Sequence, residues 1–346
     1  ASVGRARMKP WLLLAAIAGC GDNSTCDLDG AMCERLSYYN LFDDIATQVP
    51  ATGVTPYELE TPLFSDYTTK QRFFVLPPGT QATWSDDDAF DLPVGSVLVK
   101  TFGYLADRRD PYSHLDKLET RLLIHGAAGW HGASYVYDPD GRDATLAEAG
   151  SVVPAKWTHD DGSTRTNDYV VPNQNQCKNC HAEHDDLVTP LGPKARHINI
   201  GDQLQTMIDH GQLAGAPAAA QWPRDPNAID STTGTLDQRA RAFLDINCGH
   251  CHNPTGQART SGLYLDAFET DVAKFGTCKP PVATGRGSGG LAFDIVPGKP
   301  DASILIYRVS ATEPEIKMPE LGRNLVYDEG VAMLRDWITQ MPGTCN

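Results

Sequence analysis

The sequence predicts a multidomain α+β protein: an N-terminal β-rich, sandwich-like domain followed by a mainly α-helical region built around two copies of one cysteine motif. Three observations carry this. Between about 35 and 170, short runs rich in β-branched and aromatic residues are separated by Pro, Gly and Asp turns. Beyond 170, apolar residues recur at helical intervals in two stretches, near 236–247 and 328–341. Finally, Cys-x-x-Cys-His occurs twice, as Cys177-Lys178-Asn179-Cys180-His181 and as Cys248-Gly249-His250-Cys251-His252.

At 346 residues the chain is long enough for several domains. The expected division is 1–20 signal segment, 21–34 tether, 35–170 β-rich domain, 171–225 first small unit and 226–346 second unit. A formal net charge of −15 argues against nucleic acid as partner, because phosphate binding needs a basic surface. An acidic surface instead favours encounter with partners that carry a basic docking patch.

In chain order, Arg5, Arg7 and Lys9 precede a short apolar run, residues 11–18, too short to span a bilayer. This reads as a signal peptide, with Met8 the expected start. Its end, Ile17-Ala18-Gly19-Cys20, resembles the lipobox of bacterial lipoproteins, which implies a lipid anchor on Cys20 and a periplasm-facing place in the cell envelope, with the outer membrane expected. The polar stretch 22–30 follows as a tether. Strands are expected at 72–76, 95–102, 119–125 and 134–137, the last closed by Asp138-Pro139-Asp140-Gly141. The histidines here, His114, His125, His131 and His159, show no metal-ligand spacing, and Asp86-Asp87-Asp88 reads as a solvated acidic turn rather than a calcium site. With no nucleophile–base arrangement, the domain is expected to be structural or to serve docking.

The repeated motif has a specific chemistry. Two thiols one helical turn apart can each add to a vinyl group on one edge of a porphyrin, and the following histidine comes round beneath the iron. Zinc half-sites would use the cysteines but leave a histidine after both pairs unexplained. Two covalently bound c-type haems are therefore expected, attached at Cys177, Cys180, Cys248 and Cys251, with His181 and His252 as proximal iron ligands. Around the first motif, a strand through Val171 feeds into the attachment loop. Its sixth ligand is open between Met207 on a helix over 203–212 and, for a bis-histidine site, His197 or His210. Residues 214–233, rich in Ala and Pro, read as a linker.

For the second unit, Thr235 is expected to cap a helix through 247 whose apolar face is Leu236, Ala240, Phe243 and Leu244. The closing helix starts near Asp328 and presents Leu334, Trp337, Ile338 and Met341, with Phe243 expected against Trp337. Between them, Met318 precedes Pro319 in a loop, where proline restricts the backbone that would aim a thioether at iron. Gly285-Arg286-Gly287-Ser288-Gly289-Gly290 lacks the ending of a phosphate loop and reads as a surface loop. Of the nine cysteines, four lie in the motifs and one in the signal. The remaining four can pair as Cys26–Cys33 and Cys278–Cys345, which suits an oxidising compartment, or stay as free thiols.

Taken together, the lipobox, the β-rich half, Asn173-Gln174-Asn175-Gln176 before the first motif, Leu191-Gly192-Pro193-Lys194-Ala195-Arg196 and Pro297-Gly298-Lys299-Pro300-Asp301-Ala302-Ser303-Ile304-Leu305 resemble a poorly characterised bacterial family of dihaem c-type cytochrome lipoproteins. The resemblance covers nearly all of the mature chain. It implies a mainly α-helical cytochrome c-type dihaem region, electron transfer in the envelope, redox partners such as an envelope dehydrogenase or another cytochrome, and Met318 as distal ligand of the second haem. The rival expectation is a dihaem peroxidase whose first haem keeps an open sixth position.

Overall fold

The computed structural model describes residues 26–182, 187–282 and 284–346. The signal segment and Cys20 lie outside the described residues.

Alternation of apolar and polar residues in the first half produces one central sheet. Its six antiparallel strands run in chain order: β1 (Val54–Pro56), β2 (Thr69–Val75), β3 (Val97–Leu105), β4 (Leu115–Gly126), β5 (Gly129–Tyr137) and β6 (Ala144–Leu146). Because side chains alternate along a strand, the two faces receive different residues. One face carries Phe73, Val97, Val99, Leu122, Ile124 and Tyr135, buried under Leu36, Leu41 and the flanking Leu28, Met32 and Tyr39. Residues 26–34 are therefore pinned down and do not hang free. Cys26 is bonded to Cys33, Tyr135 Oη donates to Cys33 O at 2.9 Å, and the Ala127 amide donates to Asp29 at 2.6 Å.

The opposite face is covered in two places. A hairpin, β7 (Ser151–Thr158) and β8 (Thr164–Val171), lays Trp157 and Tyr169 onto Phe102 and Tyr104, with Tyr104 stacked on Trp157 at 4.2 Å between centroids. Farther along, α2 (Ala195–Ile198) and α3 (Gln203–Asp209) pack Ala195, Ile198, Leu204 and Met207 onto Phe74. Between these patches the face is left to line a cavity.

The second half departs from expectation. It is not mainly α-helical. Helix, with its 3-10 and π turns included, accounts for 22% of the described residues, and the α-helices among them are short: α1 (Gln174–His181), α2, α3, α4 (Leu236–Leu244), α5 (Ile304–Val309) and α6 (Asp328–Gln340), the longest having 13 residues. The chain holds 24 prolines and 31 glycines, and helical apolar periodicity is sustained only at α4 and α6. Elsewhere, side chains bonded to backbone do the work that a helix ladder would do. The stretch expected as a linker is a strap fixed to the first half: Asn227 donates to Glu60 O at 2.9 Å, the Ala228 amide donates to Thr61 at 2.8 Å, and Ala228 is fully buried.

Where the periodicity is real, the helices form as read. Thr235 and Gln238 make reciprocal cap bonds at the start of α4. Phe243, Leu244, Leu334, Trp337 and Ile338 share one core. Phe243 and Trp337, expected to meet, share that core, and each has a further close neighbour. The Phe243 ring sits over Gly330, where an added Cβ would come within 2.6 Å of it, while Trp337 meets Phe275 edge-on at 6.2 Å.

Candidate functional site

β8 runs through Val171 and Pro172 directly into α1. Asn173 caps that helix, accepting from the Gln176 amide at 2.9 Å while its own amide donates to Gln176 Oε1 at 2.9 Å. The cap starts the turn that carries Cys177, Cys180 and His181. The second motif begins differently. After α4 the backbone widens into a π turn, Asp245–Gly249, held by Asn247, which donates to Phe243 O at 2.9 Å and accepts from the Phe64 amide at 2.8 Å.

Both motif histidines are set in the same way. His181 Nδ1 lies 3.0 Å from Thr189 O, and His252 Nδ1 lies 3.2 Å from Leu263 O. A carbonyl at Nδ1 fixes the proton there and leaves Nε2, which has no partner among the described residues, as the lone-pair nitrogen. Burial pushes both imidazoles below their ordinary range, that of His252 down to about 4, so both are neutral at pH 7. Neutral imidazole is the form that binds a metal.

Each histidine opens onto a cavity. The larger, of about 260 Å³, is lined by Cys248, Cys251 and His252 on one side and by Met318 on another. The Met318 loop is held rigidly: its amide donates to Arg308 O at 3.1 Å and its carbonyl accepts from Arg323 Nε at 2.9 Å. The smaller, of about 170 Å³ and called the first cavity because it serves the first motif, is lined by Cys177 and His181 and by the uncovered patch of the central sheet, Arg72, Lys100, Arg121 and Leu123 among it. Cys180 lies where the two motifs abut and faces the larger cavity. There the Cys180, His250 and Cys251 donor atoms lie within 4.8 Å of one another, and Cys251 Sγ is 3.7 Å from Asn179 O.

The other expected site residues fall unevenly. Met207 is 3% exposed, packed in the core beneath Phe74 and absent from both cavity walls. His210 caps α3 and is exposed. His197 does line the first cavity, but its Nε2 is engaged with Asp245 at 2.8 Å. Asp245 also accepts from Arg196 Nε at 2.8 Å and from the Ala267 amide at 3.0 Å. Burial pushes this carboxyl up, yet the bonds from His197 and Arg196 outweigh it and hold Asp245 below the carboxylate range. His197 is thus a fastener between α2 and the second motif. Cys278 and Cys345 are bonded, closing the second unit into a loop.

Reading by sequence missed the role of the sheet. The signal was a basic residue inside one apolar run, Lys100, and one at the head of each of two others, Arg72 and Arg121. Chemically, the larger cavity offers the thiols of Cys248 and Cys251 with a neutral imidazole, and the other offers Cys177 with a neutral imidazole while Cys180 sits between the two; thiols beside a neutral imidazole are a donor set that fits a thiol-anchored tetrapyrrole with its iron. Comparison with known proteins adds no relative: no family model, no curated protein and no solved structure matches this chain.

Proposed function

We propose that the chain is a dihaem c-type cytochrome that carries single electrons at the bacterial cell envelope, held there by a lipid on Cys20. One observation carries this reading. Both Cys-x-x-Cys-His motifs present a half-buried, neutral histidine whose Nδ1 is tied to a backbone carbonyl and whose Nε2, beside an apolar cavity, has no partner among the described residues. When bound, haem iron supplies one-electron oxidation and reduction. Cys177 and Cys180, and Cys248 and Cys251, would anchor the two groups. His181 and His252 would hold the iron on one side, and Met318 on the other side at the second site. Among the described residues no donor bonds the Met318 thioether, and the residue lines the larger cavity. The abutting Cys180 and Cys251 support a short path between the two sites. The charge of −15 supports partners with basic docking faces, such as an envelope dehydrogenase or another cytochrome.

The test is a pyridine haemochrome assay with intact mass on protein made in a host with c-haem maturation machinery. Two covalent haems are expected. Colourless protein with four free motif thiols ends this reading.

A dihaem peroxidase is supported by one specific observation: Met207 is away from the first cavity and His197 Nε2 is engaged with Asp245. Carbon monoxide added to the reduced protein separates the two. Strong binding at one haem favours the enzyme, and none favours the carrier.

A further inference from the structure

The first cavity has a wall that attachment and iron ligation leave unexplained. Arg72 on β2 is paired in register with Lys100 on β3, Lys100 with Arg121 on β4, and Arg121 with Ser134 on β5. The three cations therefore share one face, and all three line the cavity. Arg121 has a counter-ion in the buried Glu119, which also accepts from Tyr169 Oη at 2.5 Å. Among the described residues Arg72 and Lys100 form no ion pair: Glu58 and Glu119 act on them only at a distance, and burial outweighs that attraction.

Arg72 is 4% exposed, makes no ion pair among the described residues, and its Nη2 lacks any partner. Lys100 makes no hydrogen bond or ion pair there and rests 4.9 Å from the centroid of the Phe102 ring. Like charges on neighbouring strands repel, and an unpaired buried cation is strongly unfavourable. A chain carrying 44 acidic residues had counter-ions to spare, so leaving these two bare points to an anion supplied from outside.

The position of the row identifies the anion. Cys177 lies at its β5 end, where a Cβ added to Gly132 would come within 3.9 Å of the sulfur. Arg72 lies three strand spacings away, about 14 Å at the usual separation of strands, which is the order of a tetrapyrrole's width. A group anchored at Cys177 and lying along the sheet would bring its far edge to Arg72 and Lys100. In haem that edge carries two carboxylates.

We propose that Arg72 and Lys100 form a carboxylate-binding site for the propionate side chains of the haem attached at Cys177 and Cys180. The site rests on the dihaem reading above. Its consequence is electrostatic. Cations beside the porphyrin disfavour the extra positive charge of ferric iron, so removing one stabilises the ferric state and lowers the reduction potential.

The experiment compares the haem-loaded protein with Arg72→Gln, Lys100→Gln and Arg72→Lys, reading attached haems by intact mass and both midpoint potentials by spectroelectrochemical titration. Two haems should remain in every variant, because attachment occurs at the other end of the row. In both Gln variants one of the two potentials should fall by about tenfold in the reduction equilibrium, about 59 mV for one electron, and Arg72→Lys should restore most of it. Two attached haems with both potentials unmoved would overturn the carboxylate site and leave the electron carrier standing. Wild-type protein without attached haem would overturn both. If Arg72→Gln does not accumulate, Lys100→Gln carries the test, since that ammonium makes no hydrogen bond in the fold.

Discussion

Arg323 shows how one buried side chain can hold a loop without secondary structure. Its guanidinium donates to the carbonyls of Met318, Leu325, Arg308, Val309 and Ala311, at 2.9 to 3.2 Å, and so satisfies the end of α5 while fixing the Met318 backbone. Arg323→Met should destabilise the protein by about 3 kcal/mol, because several carbonyls lose their donor at once; urea denaturation measures this. On the dihaem reading proposed above, Met318→Ala should leave both haems attached but lower the potential of one, because a thioether ligand raises it relative to a nitrogen or an open position. A redox titration that shows no change would remove Met318 from the iron. A different residue ties the N-terminal segment down. Arg35 bonds Asp138 and Asp143, the latter at 3.0 Å, and its hydrogen bond is the chief reason that the Asp138 carboxyl lies below its ordinary range. A depressed carboxylate stabilises above its unfolded value, about 3.9, and the contribution is lost as pH falls through the folded one. Arg35→Ala should therefore cost about 1 kcal/mol at pH 7, and the gap to wild type should narrow in denaturation curves measured at progressively lower pH below about 3.9.

At the scale of elements, the crossing of α4 and α6 depends on a residue without a side chain. Phe243 lies against Gly330 so closely that a Cβ there would be 2.6 Å from the ring, and Trp337 Nε1 bridges the same pair of helices by donating to Asp237 at 2.9 Å. Gly330→Ala raises intrinsic helix propensity but drives a methyl into an aromatic ring. The clash should win, with a net loss of about 2 kcal/mol, read as a lower thermal midpoint. A gain in stability would mean that the helices can slide apart at little cost. The periodicity of both helices was plain in the sequence, since it is a local property repeated every turn. The contact between them was not, because it depends on interhelical distance. Phe243 and Trp337 are on the correct faces and share one core, and each also has a ring neighbour that the sequence did not reveal, Tyr327 and Phe275 respectively.

For the whole molecule, the β-rich half is part of the site. Its sheet forms the wall opposite Cys177 and His181, and its loops also reach the second unit, where Asp66 accepts from the Asn324 and Leu325 amides at 2.7 and 2.8 Å and Phe64 stacks on Tyr327 at 4.3 Å. A fragment comprising residues 171–346 should therefore fail to form a cooperative fold, in contrast to the full chain; a sharp thermal transition in the isolated fragment would refute this. Cys278–Cys345 closes a separation of 67 residues, and Cys345→Ser should cost about 4 kcal/mol on the loop-entropy account.

What the sequence by itself determined is the local chemistry. The cysteine and histidine spacing of each motif spans about one helical turn, and Thr235 and Asn173 act on the next few residues, so neighbours along the chain suffice to read them; Met318 was legible as a residue beside proline, but Arg308 and Arg323 hold it in place. What only the tertiary structure decided is everything that depends on register and packing: that Met207 belongs to a core, that His197 is bound to Asp245, that the second half is mostly loop, and that Arg72, Lys100 and Arg121 share a row. Those cations are separated by whole strands and turns. Their meeting is set by long-range backbone pairing, in which a shift of one residue would turn each of them to the other face.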